Sequence, residues 1–186
     1  YGYFEYALVL EEVARVSASY GVSVAVSGLP QVILDEFGNE EQKKRWMPGL
    51  AQGTLLGGFA LSEPDSGSDA ASLTTTAIRE GDMYRVNGRK FWITHGGYAD
   101  VYVLMARTGG AGPKGVSAFL LSKDTPGLSF GKKEEKMGLR ASPTVEMILE
   151  DVMIPASARL GEEGIGFNVA MTALNSGRIT IGAISV

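Results

Sequence analysis

The spacing of apolar positions divides the chain into three zones. In the first, Phe4, Ala7, Leu8, Val13 and Val16 recur at helical spacing. Val22, Ala25, Val26, Leu29, Val32, Ile33 and Phe37 then mark a second helix that is apolar around much of its circumference. Gly38 reads as its stop. Asn39, with Gln42 three positions on, reads as a capping box opening a third helix, expected to end near Pro48. From about Thr54 the chain breaks into short apolar runs bounded by turn residues. Tyr84-Arg85-Val86 and Arg89-Lys90-Phe91 flank Asn87-Gly88, so a hairpin is predicted there. Val101 to Ala106 and Val116 to Leu121 read as strands joined by the loop Thr108 to Pro113, with two further strands at Val145 to Leu149 and Val152 to Ile154. After Gly161-Glu162-Glu163-Gly164 the helical period returns, with Phe167, Ala170, Met171 and Leu174 on one face. The predicted class is α+β: a helical segment over 1–53, an antiparallel β-barrel or sandwich over 54–160, and the first helix of a C-terminal helical bundle over 161–186.

Composition narrows the chemistry. A net charge of -4, from 17 basic and 21 acidic residues without a basic patch, argues against nucleic acid as a partner. With no cysteine there are no disulfides, thiolate metal sites or thiol nucleophile, and one histidine makes a histidine-based metal site implausible. No secretory signal is visible and no uninterrupted apolar run nears the roughly twenty residues that span a bilayer, so no membrane insertion is expected.

The richest stretch for chemistry is Phe59-Ala60-Leu61-Ser62-Glu63-Pro64-Asp65-Ser66-Gly67-Ser68-Asp69, in which an apolar strand breaks at Glu63-Pro64 into a loop of small residues. Such a loop lets bare backbone N–H groups approach an anionic diphosphate, although the same composition also serves ordinary turns. Further on, Phe91-Trp92-Ile93-Thr94-His95 offers a strand carrying a flat ring able to lie against another ring, or to fill a barrel core.

The combination and spacing of these two segments resemble the FAD-dependent acyl-CoA dehydrogenase family. The resemblance continues in order through Asn39 to Pro48, Tyr84 to Thr94, Asp124 to Gly127, Met137 to Ser142, Glu150 to Val152 and Leu174 to Arg178, covering almost the whole chain. Family members run to roughly twice this length, which implies a central fragment. The resemblance implies that Phe59, Leu61, Ser62, Gly67, Ser68, Trp92, Ile93 and Thr94 contact FAD, with the Ser62 hydroxyl near the flavin N5 and O4 edge and Gly67 and Ser68 at the diphosphate. It implies that Ser68, Asn175 and Arg178 lie at the acyl-CoA. Asn175 replaces the family's usual aspartate, which removes a charge from that contact.

The resemblance implies no catalytic base among these residues. Gly177 fills the position, just before Arg178, where some relatives carry the catalytic glutamate, and the usual alternative lies in the family's downstream helical domain. Glu63 and Asp69 read as structural residues of the turn, and His95 as a turn residue rather than a proton carrier. The implied reaction is α,β-desaturation of a saturated acyl-CoA, with electrons passed to an electron-transferring flavoprotein, in a homotetramer of the cytoplasm or, in a eukaryote, the mitochondrial matrix. An acyl-CoA oxidase or other flavin oxidase or monooxygenase on the same fold, and a ligand-binding module without turnover, are the alternatives.

Overall fold

The computed structural model describes residues 2–186. The first helix, α1 (Tyr3–Phe37), is folded back on itself at Ser17, whose φ of -154° and ψ of 101° lie outside the helical region. The Tyr6 hydroxyl reaches the Val24 carbonyl at 3.5 Å. A Cβ on Gly28 would stand 3.1 Å from the same hydroxyl. In a straight helix residues 6 and 28 would be about 33 Å apart, so the arms 3–16 and 18–37 form an antiparallel helical hairpin. Helix α1 is long and apolar enough in length and composition to cross a membrane, although its apolar residues do not form one uninterrupted run. The break at Ser17 divides it into two shorter arms, and its second arm is packed against β1 and the other helices.

Helix α2 (Glu40–Gln52) opens with the expected capping box: Gln42 N donates to Asn39 Oδ1 at 2.8 Å and Asn39 N to Gln42 Oε1 at 2.9 Å. The Gln42 amide also donates to the Ser157 and Arg159 carbonyls, pinning the helix to the far end of the β-domain. The expected stop near Pro48 is corrected, because α2 runs through Pro48 to Gln52. Proline costs the helix one hydrogen bond, but the last turn buries Leu50 and closes on Gly53, whose φ of 72° forms a left-handed cap.

The β-domain is one sheet of eight strands: β1 (Gly57–Ala60), β2 (Thr76–Glu80), β3 (Met83–Thr94), β4 (Val101–Arg107), β5 (Val116–Ser122), β6 (Leu128–Phe130), β7 (Thr144–Pro155) and β8 (Arg159–Leu160). The order is β6-β7-β3-β2-β4-β5-β8, with β1 beside β4. Pairing is antiparallel except where β4 meets β1 and β2. Strands β3 and β5 are separated by two others, yet Tyr84 and Phe119 meet edge to face with ring centroids 4.9 Å apart, so the sheet curls around its own core. Strand β4 is buried on both faces. Tyr102 and Leu104 enter that inner core, while Val101, Val103 and Met105 face a second core completed by α1, α2 and α3 (Gly166–Ile184). Two buried faces explain why β4 and β5 read as continuous apolar runs rather than alternating ones.

Asn87-Gly88 does not make a hairpin turn. The β2–β3 turn falls at Gly81-Asp82, and β3 continues straight through Asn87-Gly88 as a register shift against β7. The Asn87 side chain accepts from Asp151 N at 2.8 Å and donates to Asp151 Oδ1 at 3.0 Å. Gly88, at φ 152°, lies so close to Thr75 that a Cβ would sit 2.5 Å from its hydroxyl. The extra residue of the register shift belongs to β7, at Glu150-Asp151, and Asn87-Gly88 meets it with a side-chain bridge and a close backbone approach to Thr75 instead of a turn. The two strands expected at Val145 to Leu149 and Val152 to Ile154 are likewise one, β7, bent at Asp151 with φ 49°.

Candidate functional site

A second register shift in β3, between Lys90 and Ile93, decides which way the Trp92 ring points. Strict alternation would put Trp92 on the inner face with Lys90 and turn Ile93 outward. The bulge places Trp92 at φ 61°, leaves the residue 62 % exposed and keeps Ile93 in the inner core. A bulky residue at positive φ is a strained conformation, and strain of this kind collects at functional positions.

The exposed ring borders a shallow cleft of about 170 Å³. One wall is Phe59, Leu61 and Ser62, at the end of β1 and just beyond it. The opposite wall is Phe91, Trp92, Ile93 and Thr94. Val26 and Leu29 of α1 and Leu174 of α3 close it from the helical side. The walls are joined directly, since Phe91 N donates to the Ser62 carbonyl at 2.8 Å. Among the described residues neither the Ser62 nor the Thr94 hydroxyl hydrogen-bonds within the protein, and no carboxylate lines the cleft. Two unengaged hydroxyls beside a flat ring and an apolar rim suit a planar heteroaromatic ligand with polar edges.

Next to Ser62, Glu63 and Lys90 form a buried ion pair of 2.7 Å, with side-chain exposures of 3 % and 0 %. Glu63 also accepts from Thr74 N, the Thr74 hydroxyl and Thr75 N, and Lys90 Nζ donates to the Leu61 carbonyl at 3.1 Å. Burial alone would raise the Glu63 pKa, but the Lys90 charge and the hydrogen bonds from Lys90, Thr75 and Thr74 bring it down to about 2. Burial pushes the Lys90 ammonium down to about 8 against the pull of Glu63.

Beyond Glu63 the loop is held on its inner side. Reciprocal backbone bonds join Glu63 and Ser66, and the Ser66 hydroxyl donates to Asp69 O. Arg107 donates from Nε to Leu73 O and from Nη2 to Ala71 O, holding the following turn. Gly67 and Ser68 stand exposed at the tip, outside the cleft lining, and a Cβ on Gly67 would meet nothing within 4 Å. Asn175 and Arg178 share an exposed face of α3 one turn apart and are not brought into the cleft, whereas Leu174 beside them is. His95 is buried at a turn with φ 63°. Its Nδ1 lies 3.0 Å from the Gly57 carbonyl, which can only accept, so Nδ1 carries the proton. Lys90 was not singled out from sequence, although its parity with Tyr84 and Val86 in β3 pointed to an inward charge in need of a partner.

The fold thus defines an α+β protein in which helices close one side of a curled sheet over a shallow cleft. The chain matches the family models for the acyl-CoA dehydrogenase N-terminal domain over residues 1–54 and middle domain over residues 58–152, and it belongs to the acyl-CoA dehydrogenase family. It is 46% identical to the mitochondrial isobutyryl-CoA dehydrogenase of Dictyostelium discoideum over 96% of this chain and 43% of that one. The solved structure of butyryl-CoA dehydrogenase from Megasphaera elsdenii superposes with a TM-score of 0.95 at 40% identity, covering 98% of this chain and 49% of the other. A glutaryl-CoA dehydrogenase from Mycobacterium smegmatis, in complex with FADH2, gives 0.92 at 36% identity over 98% and 46%. The chain spans about half the length of the relatives it matches.

Proposed function

We propose that this chain carries the flavin-facing half of an FAD-dependent acyl-CoA dehydrogenase that desaturates a short acyl-CoA between Cα and Cβ. The observation that carries this reading is the cleft, where the outward Trp92 ring lies beside the unengaged Ser62 and Thr94 hydroxyls. Phe59, Leu61 and Trp92 would give the flavin apolar contact, Ile93, its side chain in the inner core, would offer only backbone, Ser62 and Thr94 would bond its polar edge, and Gly67 and Ser68 would receive the diphosphate. FAD supplies the hydride acceptor when bound. The Ser62 hydroxyl favours charge arriving at the ring edge, a bond of about 1.5 to 3 kcal/mol to a charged acceptor.

The acyl-CoA lies on the helical side, with Ser68, Asn175 and Arg178 toward its polar portion. A cavity of about 660 Å³ between the arms of α1 and α3, bounded by Tyr6, Leu29 and Thr180, offers apolar space for the acyl chain, and Leu29 also lines the cleft. The short-chain preference rests on the isobutyryl- and butyryl-CoA relatives. No carboxylate lines the cleft, and the base that takes the α-proton is assigned to the downstream helical domain, as the family resemblance implies. The parts 1–53, 54–160 and 161–186 are the end of a helical domain, the flavin-binding β-domain and the start of a second helical domain. The whole enzyme is a homotetramer in the cytoplasm or mitochondrial matrix and delivers electrons to an electron-transferring flavoprotein.

The test uses the natural protein that carries this chain. It is expected to purify with flavin absorbance, and anaerobic addition of butyryl- or isobutyryl-CoA should bleach it while long-chain thioesters do so more slowly. Protein that neither holds FAD nor bleaches with any acyl-CoA overturns the proposal. Rapid reoxidation of the bleached protein by air would assign it to the oxidases instead.

A further inference from the structure

Lys90 is fully buried inside the β-domain and its ammonium contacts the two residues that bracket Ser62: the Leu61 carbonyl at 3.1 Å and Glu63 Oε1 at 2.7 Å. The residue after Lys90 binds the residue between them, through Phe91 N to the Ser62 carbonyl at 2.8 Å. Three consecutive residues, Leu61 to Glu63, are therefore held by two consecutive residues, Lys90 and Phe91. The next residue is Trp92, turned out of the sheet by the bulge that begins at Lys90. Glu63 extends the hold to a third segment through Thr74 and Thr75.

This arrangement is hard to explain as a source of stability. Removing an ammonium and a carboxylate from water offsets most of their attraction, and a well-packed apolar pair of similar volume commonly serves stability as well or better. An apolar pair has no direction, however. It cannot dictate which carbonyl lies against which strand, whereas an ammonium shared between Leu61 O and Glu63 fixes that register. Building on the flavin reading above, we infer that Lys90 is a positioning residue for the flavin cleft: its ammonium ties the backbone on both sides of Ser62 to the strand carrying Trp92, and so sets the Ser62 hydroxyl relative to the Trp92 ring. Lys90 touches neither cofactor nor substrate. It acts through Ser62 and Trp92, whose separation decides whether ring contact and edge hydrogen bond are made together.

The experiment compares the unaltered natural protein with Lys90→Met and with the double variant Lys90→Met/Glu63→Gln. The single variant strands a buried carboxylate and is expected to fold poorly. The double variant removes both charges at nearly constant volume and should melt close to the unaltered protein. It should nonetheless bind FAD about tenfold more weakly, show an altered visible circular dichroism of the bound flavin, and be reduced by butyryl-CoA up to about a hundredfold more slowly with KM little changed. In the unaltered protein stripped of FAD, the Phe91 amide should exchange with solvent as slowly as amides of the inner core. A folded double variant with unchanged FAD affinity, dichroism and kcat overturns the inference while leaving the flavin reading intact. Fast exchange at Phe91 in the stripped protein overturns it independently of any variant. Failure of the unaltered protein to bind FAD overturns both.

Discussion

The Glu63 carboxylate and the Lys90 ammonium meet at 2.7 Å inside the β-domain, from positions in two different strand-and-loop segments, with almost no exposure to solvent. Their ionisation gives stability a definite pH dependence. The Glu63 pKa falls from 4.5 to about 2 on folding, so the unfolded chain binds more protons between those values. The contribution is fully present above about pH 4.5 and is lost as pH falls through 2. Lys90 falls from 10.5 to about 8, so here too the unfolded chain binds more protons, and stability rises with pH between those values. Urea unfolding midpoints followed from pH 2 to 6 should climb, and Glu63→Gln should flatten the climb. An unchanged slope in that variant would place the acid-labile group elsewhere.

Trp92 sets stability against binding. Its ring is exposed and its φ of 61° is strained, so Trp92→Gly should raise the melting temperature of the cofactor-free protein, consistent with about 1 to 2 kcal/mol of relieved backbone strain. The same variant and Trp92→Ala should lose about 0.5 to 1.5 kcal/mol of FAD binding from ring contact. Differential scanning calorimetry and flavin titration measure the two effects. A destabilised glycine variant that keeps full FAD affinity contradicts both halves.

Ser62→Ala should leave the stability of the cofactor-free protein within about 0.5 kcal/mol, because the hydroxyl has no internal partner to lose. It should slow flavin reduction more than it weakens acyl-CoA binding, since charge at the flavin edge grows in the transition state. Stopped-flow reduction at several acyl-CoA concentrations separates the two. Weaker binding at an unchanged limiting rate would make Ser62 a substrate contact.

Two glycines should respond oppositely to alanine. At Gly177, inside α3, a new Cβ would stand 3.5 Å from Leu29 Cδ2, an ordinary contact, so Gly177→Ala should stabilise by about 0.5 to 1 kcal/mol. At Gly88 it would stand 2.5 Å from the Thr75 hydroxyl and 2.7 Å from Thr75 Cα, at a φ unfavourable to alanine, so Gly88→Ala should destabilise by more than that. Thermal denaturation of the two variants checks the signs.

What the sequence determined on its own is local. The Asn39–Gln42 capping box joins groups three residues apart and was legible as a pattern. The break between the arms of α1 and the apolar runs of β4 and β5 could likewise be read from spacing. The two cleft strips were recognisable because each is a continuous segment, Phe59 to Ser62 and Phe91 to Thr94. Tertiary structure decided what those segments do together. Asn87-Gly88 states only that the backbone has freedom there, and its contacts with Thr75 and Asp151 set it within β3 opposite a bulge of β7. Pro48 reads as a stop until the burial of Leu50 and the cap at Gly53 carry α2 past it. The direction of Trp92 and the role of Lys90 depend on a one-strand register shift and on a partner twenty-seven residues away. Such choices are settled by the energy of burying particular atoms against one another, which no periodicity along the chain encodes.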